Sequence, residues 1–156
     1  MTSDVVAIGQ LLCAVNGNLV TAESCTGGLL GKYITEIAGA SKWYAGGWVT
    51  YSNAMKTTQL AVSQELLQAN GAVSSQVAEA MCVGARKQSG ATVAVSTTGI
   101  AGPSGGTQEK PVGTVFIGCE TESSIEVRHY LFTGNRKEVQ EQAAVAALQL
   151  LHEMLL

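Results

Sequence analysis

Residues 91–97, Ala-Thr-Val-Ala-Val-Ser-Thr, limit the folds open to this chain more than any other segment. An unbroken run of small and β-branched side chains suits a strand. It lacks the apolar–polar alternation of a strand with one wet face, so it belongs inside a sheet covered on both sides. Past Thr98, the eight residues Gly99 to Gly106 hold four glycines and a proline and are expected to be loop.

Helices are needed to cover such a sheet, and their spacing is present. Val5, Ile8, Leu11, Leu12 and Val15 recur at helical intervals, with Ser3 or Asp4 as candidate N-cap and Gly17 as candidate stop. Leu19 to Glu23 reads as a short buried strand, and Gly28 to Ala38 as a helix closed by Gly39. Trp43 to Tyr51 reads as a strand with a bulge or bend at Gly46-Gly47. Short helices are expected to start at Lys56 and to cover Ser63 to Ala69, and a longer one Ser75 to Gln88. Val112 to Cys119 and Ile125 to Phe132 read as a hairpin. Asn135 with Glu138 forms a capping-box pattern ahead of a helix running to Leu156. The expected order is αβαβααβββα. It predicts an α/β fold: a three-layer α/β/α sandwich with a mixed sheet of about five or six strands, residues 1–156 forming one domain.

Composition removes several functions. A net charge of −3, with nine scattered Lys and Arg, argues against nucleic acid as partner. No apolar run is long enough for a membrane span, and Met1 to Asp4 lack the basic start of a secretory signal. Cys13, Cys25, Cys82 and Cys119 form no C-x-x-C pair, so metal-ligand spacing is absent and reduced thiols in a cytoplasmic protein are expected. His129 and His152 read as surface or core histidines. With only 13% charged residues, a homodimer or higher homo-oligomer is expected.

Three polar clusters fall at expected strand ends: Ser24-Cys25-Thr26-Gly27-Gly28; Thr50-Tyr51-Ser52-Asn53 with Lys56; and Ser96-Thr97-Thr98-Gly99-Ile100-Ala101-Gly102-Pro103. Carboxyl ends of strands in such sheets converge on a ligand crevice. Ser24 is a candidate nucleophile and equally a candidate helix cap. With no histidine in the clusters, its base is Lys56 or Tyr51, or Glu23 if that carboxylate is not structural. A lysine serves if burial lowers its pKa; otherwise Lys56 is a solvated surface residue. Cys25 is the rival nucleophile, and the stronger one if it sat at the same exposed point; adjacent strand residues face opposite ways, which places it beneath Ser24 and favours Ser24. Gly27, Gly28, Gly99 and Gly102 let backbone N–H groups approach an anion. Arg136 is a candidate phosphate ligand or a plain surface arginine.

Ala22-Glu23-Ser24-Cys25-Thr26-Gly27-Gly28, Tyr51-Ser52-Asn53 with Lys56, Gly71-Ala72-Val73-Ser74, Gly99-Ile-Ala-Gly-Pro103 and Lys110-Pro111-Val112-Gly113-Thr114-Val115 stand in an order and spacing that resemble the CinA C-terminal domain family. The resemblance covers about residues 5 to 155. It implies hydrolysis of the carboxamide of nicotinamide mononucleotide to nicotinate mononucleotide and ammonia, within pyridine-nucleotide recycling. It implies Ser24 as nucleophile, assisted in proton transfer by Lys56 and Tyr51. Thr98 falls where the family has a small hydroxyl residue, and Arg136 in its G-x-R element. Thr26, Gly27, Gly28, Asn53, Thr98, Gly99, Gly102 and Arg136 are the expected substrate contacts, with no metal and no cofactor. The rival reading is a non-catalytic nucleotide-binding module on the same fold.

Overall fold

The computed structural model describes residues 1–156. Six helices and five strands follow one another as α1 (Thr2–Ala14), β1 (Leu19–Glu23), α2 (Leu29–Thr35), β2 (Tyr44–Val49), α3 (Asn53–Leu60), α4 (Gln64–Asn70), α5 (Ser75–Ser89), β3 (Val93–Gly99), β4 (Thr114–Glu120), β5 (Ile125–Leu131) and α6 (Arg136–Leu155). The strands form one sheet in the order β2-β1-β3-β4-β5. β1 lies parallel to both β2 and β3, and the β4–β5 hairpin closes the sheet antiparallel. The mixed α/β sandwich is therefore as the sequence predicts.

The two faces carry separate apolar layers. Leu19, Val93, Val95, Val115 and Ile117 pack with α1, α2 and α6. Val20, Ala22 and Ala94 pack with α3, α4 and α5. The predicted run around Ala91 to Thr97 feeds both: Val93 and Val95 point to one layer, Ala94 to the other. It is buried throughout, except for Thr92.

β2 bears out the expected irregularity. Leu19 pairs with Tyr44 but Val20 pairs with Gly46, so Ala45 is the extra residue of a bulge. Its effect is to change faces. Tyr44 packs on the α2 side and Trp48 on the α5 side, although four residues apart on one strand they would otherwise share a face.

Several expected boundaries move: β2 is trimmed to Tyr44–Val49, β3 runs from Val93 to Gly99, which is strand rather than loop, and β4 starts at Thr114. α1 begins at an uncapped Met1, because Asp4 is engaged by the N-terminal ammonium and His152 rather than by the helix backbone. It stops through Asn16, not Gly17; Asn16 takes the left-handed conformation at φ 53°. The helix after Gly28 ends at Thr35, and Ala40–Lys42 form a separate 3₁₀ turn. The three helices expected between β2 and β3 are present, one more than the order αβαβααβββα counts, and α3 starts at Asn53 rather than Lys56 because Ser52 Oγ accepts the Met55 N–H at 3.1 Å. The capping box at Asn135 and Glu138 is present.

Candidate active site

β1, β2 and β3 are parallel, so their carboxyl ends meet at one rim of the sheet. The chain leaves β1 and β2 over opposite faces, which opens a crevice at that rim. A cavity of about 200 Å³ lies there, walled by Ser24, Lys56, Tyr51, Asn53, Thr98 and Arg136, with Cys25, Ala72, Val73, Gly99 and Ala101 completing it. All three polar clusters contribute. Thr26, Gly27, Gly28 and Gly102 of the expected contacts do not line it.

Ser24 continues the alternation of Val20 and Ala22, and so faces the α3–α5 layer. Its N–H bonds the Thr97 carbonyl at 2.9 Å, which fixes the residue just past the strand. Lys56 sits on the first full turn of α3, and only 1% of it is exposed. Its Nζ donates to Ser24 Oγ at 2.9 Å, to the Thr50 carbonyl at 2.9 Å and to the Tyr51 carbonyl at 3.3 Å. No carboxylate is among these partners. Burial without a counter-ion lowers the Lys56 pKa from 10.5 to about 8. A neutral amine has two N–H bonds and one lone pair. With both N–H bonds on the carbonyls, the lone pair is left for the Ser24 hydroxyl.

Cys25 packs beneath, as strand alternation predicts. It is buried among the α2 and α6 side chains, and its thiol is pushed up to about 12 by that burial. Its carbonyl accepts the Gln140 side-chain amide at 3.0 Å. A thiol so buried has almost no thiolate near neutral pH.

Glu23 is structural in this geometry. Its carboxylate accepts Thr26 Oγ1 at 2.6 Å and the N–H groups of Gly28, Leu30 and Gly31 at 3.2, 2.9 and 3.1 Å. The start of α2 is thus capped from within. Gly27 N–H is taken by the Ser24 carbonyl. The glycine pair therefore shapes the turn, at φ 60° and 102°, and offers no free donors to an anion. Donors remain elsewhere: the N–H groups of Cys25 and Ala101, both cavity-lining residues, bond no protein acceptor.

Tyr51 and Arg136 close the mouth together. Arg136 is the first residue of α6, placed by the Asn135 cap. It donates through Nη2 to the Tyr51 phenol and through Nη1 to the Gly102 carbonyl, each at 2.7 Å. The phenol therefore meets Arg136, while the Tyr51 backbone carbonyl meets Lys56. Thr98 Oγ1 donates to the Ala72 carbonyl at 2.8 Å. Thr26 is buried in the Glu23–Thr97 network. Sequence reasoning assigned no role to Thr50, Ala72, Val73 or Ala101. They act through backbone groups or as wall; the Gly71 to Ser74 motif points to Ala72 and Val73, and the second and third polar clusters contain Thr50 and Ala101.

The CinA C-terminal domain model matches residues 2–155. The chain is 47% identical over 150 residues to the nicotinamide-nucleotide amidohydrolase PncC of Escherichia coli K12, covering 96% of this chain and 91% of that protein. It is 50% identical over 145 residues to the protein of the same name from Enterobacter agglomerans, covering 92% and 88%. A CinA-like protein of Desulfotalea psychrophila is 45% identical over 149 residues; 96% of this chain matches 36% of that one, so the chain spans about a third of such longer curated relatives. Among solved structures, the competence/damage inducible protein CihA of Agrobacterium tumefaciens superposes with a TM-score of 0.95 at 37% identity, covering 98% of this chain and 94% of that one. No helix here is long and apolar enough to cross a membrane. With the motifs in order, the matching fold and relatives of this identity along nearly its whole length, the chain belongs to the CinA C-terminal domain family.

Proposed function

We propose that this chain is an amidohydrolase that converts nicotinamide mononucleotide and water to nicotinate mononucleotide and ammonia, with Ser24 as nucleophile and Lys56 as proton carrier. The observation that carries the reading is the buried contact of 2.9 Å between Lys56 Nζ and Ser24 Oγ, made by a lysine with no carboxylate partner. The PncC names of two relatives supply the substrate.

The steps follow from the groups present. Neutral Lys56 takes the Ser24 proton as Oγ attacks the carboxamide carbon. Negative charge gathers on the former carbonyl oxygen, for which the wall offers unpaired backbone N–H groups, those of Cys25 and Ala101 among them. The Lys56 ammonium returns its proton to the amide nitrogen, the C–N bond breaks, and ammonia leaves. Water then attacks the ester, giving a proton to Lys56; as the ester C–O bond breaks, Lys56 passes that proton to Ser24 Oγ, and the product leaves as the carboxylate. Arg136, held open-handed by Tyr51 and Gly102, supplies charge for the substrate phosphate; Asn53 and Thr98 border the ring and ribose. The chemistry runs on Lys56 and backbone donors, and calls on no metal or cofactor.

Ammonia release from nicotinamide mononucleotide tests the reading. Ser24→Ala is expected to lose turnover by roughly a thousandfold or more while keeping its circular dichroism. Full activity in that variant would end the serine mechanism, and no release by the folded parent chain would end the substrate assignment.

A further inference from the structure

Thr97 of β3 holds the segment around Ser24 twice. Its carbonyl accepts the Ser24 N–H at 2.9 Å, and its Oγ1 meets Thr26 Oγ1 at 2.8 Å. Thr26 in turn donates to Glu23 Oε1 at 2.6 Å. A threonine hydroxyl has one proton to give. Thr26 spends its own on the carboxylate, so Thr97 donates to Thr26, and the chain runs one way from Thr97 through Thr26 to Glu23. All three side chains are buried, and none lines the cavity. Capping α2 does not account for the two hydroxyls. The cap is made by the carboxylate with the N–H groups of Gly28, Leu30 and Gly31. Thr26 and Thr97 add no bond to the helix. They close a ring from Glu23 to Thr26 that encloses Ser24 and Cys25. Glu23 reaches the lysine as well: its main-chain carbonyl accepts the Thr50 N–H at 2.8 Å, and the Thr50 carbonyl accepts Lys56 Nζ at 2.9 Å.

We infer that Glu23, Thr26 and Thr97 are positioning residues for the nucleophile: their buried hydrogen-bond chain fixes the backbone of Ser24 and Cys25, and so holds Ser24 Oγ at Lys56 Nζ and keeps the Cys25 N–H unpaired. The physical reason is that a serine side chain has one torsion before its oxygen, so the backbone sets where Oγ lies. A misplacement of about 1 Å at a reacting atom costs on the order of a hundredfold in rate. Water is excluded from the chain, so nothing competes for its bonds. The consequence for turnover rests on the amidohydrolase reading; the consequence for the reactivity of Ser24 does not.

Thr26→Val and Thr97→Val each remove one hydroxyl and keep a branched side chain of similar volume. Each is expected to lower kcat for ammonia release from nicotinamide mononucleotide by about tenfold or more while KM stays within about twofold, because neither residue lines the cavity. Thr26→Ser restores the hydroxyl and is expected to return kcat to within about threefold of the parent. The double valine variant is expected to lose little more than the worse single one, since both break the same chain. Labelling of Ser24 by a fluorophosphonate, read as the gain in intact mass and absent in Ser24→Ala, follows the nucleophile without the nucleotide. It is expected to slow in the valine variants and recover in Thr26→Ser. A parent chain that labels but releases no ammonia would end the substrate assignment, and labelling would still decide the positioning. Circular dichroism establishes that each variant folds, and Thr26→Ala takes the place of the valine variants should neither fold. Parent-like kcat and labelling in the folded variants, whatever their melting temperature, a loss that Thr26→Ser does not rescue, or a parent in which Ser24 neither turns over nor labels would each overturn the inference.

Discussion

The proposed chemistry turns on one atom, the buried Nζ of Lys56. Three acceptors surround its Nζ and no carboxylate does, so the protein stabilises the amine more by hydrogen bonding than by charge pairing. Two consequences share one sign. If neutral Lys56 is the base, kcat/KM rises with pH through about 8 and then levels. Stability follows by linkage. Between the folded value of about 8 and the ordinary 10.5, the unfolded chain holds a proton that the folded chain has released. Raising pH across that window therefore stabilises the fold, and below it the lysine penalises folding fully. Lys56→Met removes the titrating group. The stability gap between parent and variant, measured by urea unfolding at about pH 7 and about pH 9.5, is expected to shift in favour of the parent at the higher pH. An unchanged gap would mean that Lys56 keeps its ordinary pKa in the folded chain.

The elements explain why a lysine comes to lie there. α3 must run close to α5 for Lys56 to reach Ser24, and glycine permits it. A Cβ at Gly84 would collide with the Leu60 carbonyl, at the last residue of α3. Gly84→Ala is expected to push α3 outward, costing about 1–3 kcal/mol as an overpacked contact does, and to lower ammonia release by moving Nζ from Ser24. Thermal unfolding and the ammonia assay on one preparation check both. Loss of stability with unchanged kcat would place the strain away from Lys56. Elements of this kind are legible where pattern is strong: the Ala91–Thr97 run marks a central strand, found two residues later as Val93–Gly99, and the Asn135 capping box is present. The misplaced boundaries have physical causes. Asp4 and Gly17 suited the ends of α1, but ion pairs claimed the first, and Asn16 ended the helix one residue before the second. The start of α3 precedes Lys56 by three residues because Ser52, which belongs to the polar cluster in sequence, is also the cap of the helix.

At the scale of the whole molecule, the cavity gathers residues from about 24 to 136 of the sequence. Motif spacing shows which segments matter, but not which donors are already taken. The Gly27–Gly28 turn looked like an anion cradle, yet Glu23 and Ser24 occupy its N–H groups. That bond pattern is tertiary and has no sequence signature, because Glu23 reads equally as a strand carboxylate. Tyr51 likewise was expected beside Lys56 through its phenol, and its phenol is instead held by Arg136 across the mouth. Since these segments converge only when folded, the unfolded chain has no site, and a bound ligand must raise the melting temperature. With the product, nicotinate mononucleotide, at a hundredfold its Kd, the stabilisation is about 2.7 kcal/mol, or roughly 5–11 °C for a chain of this size. Arg136→Ala removes the one cation at the mouth and is expected to abolish most of that shift at the same ligand concentration. The same shift in parent and variant would move the phosphate away from Arg136, and with it the orientation of the nucleotide that brings its carboxamide to Ser24.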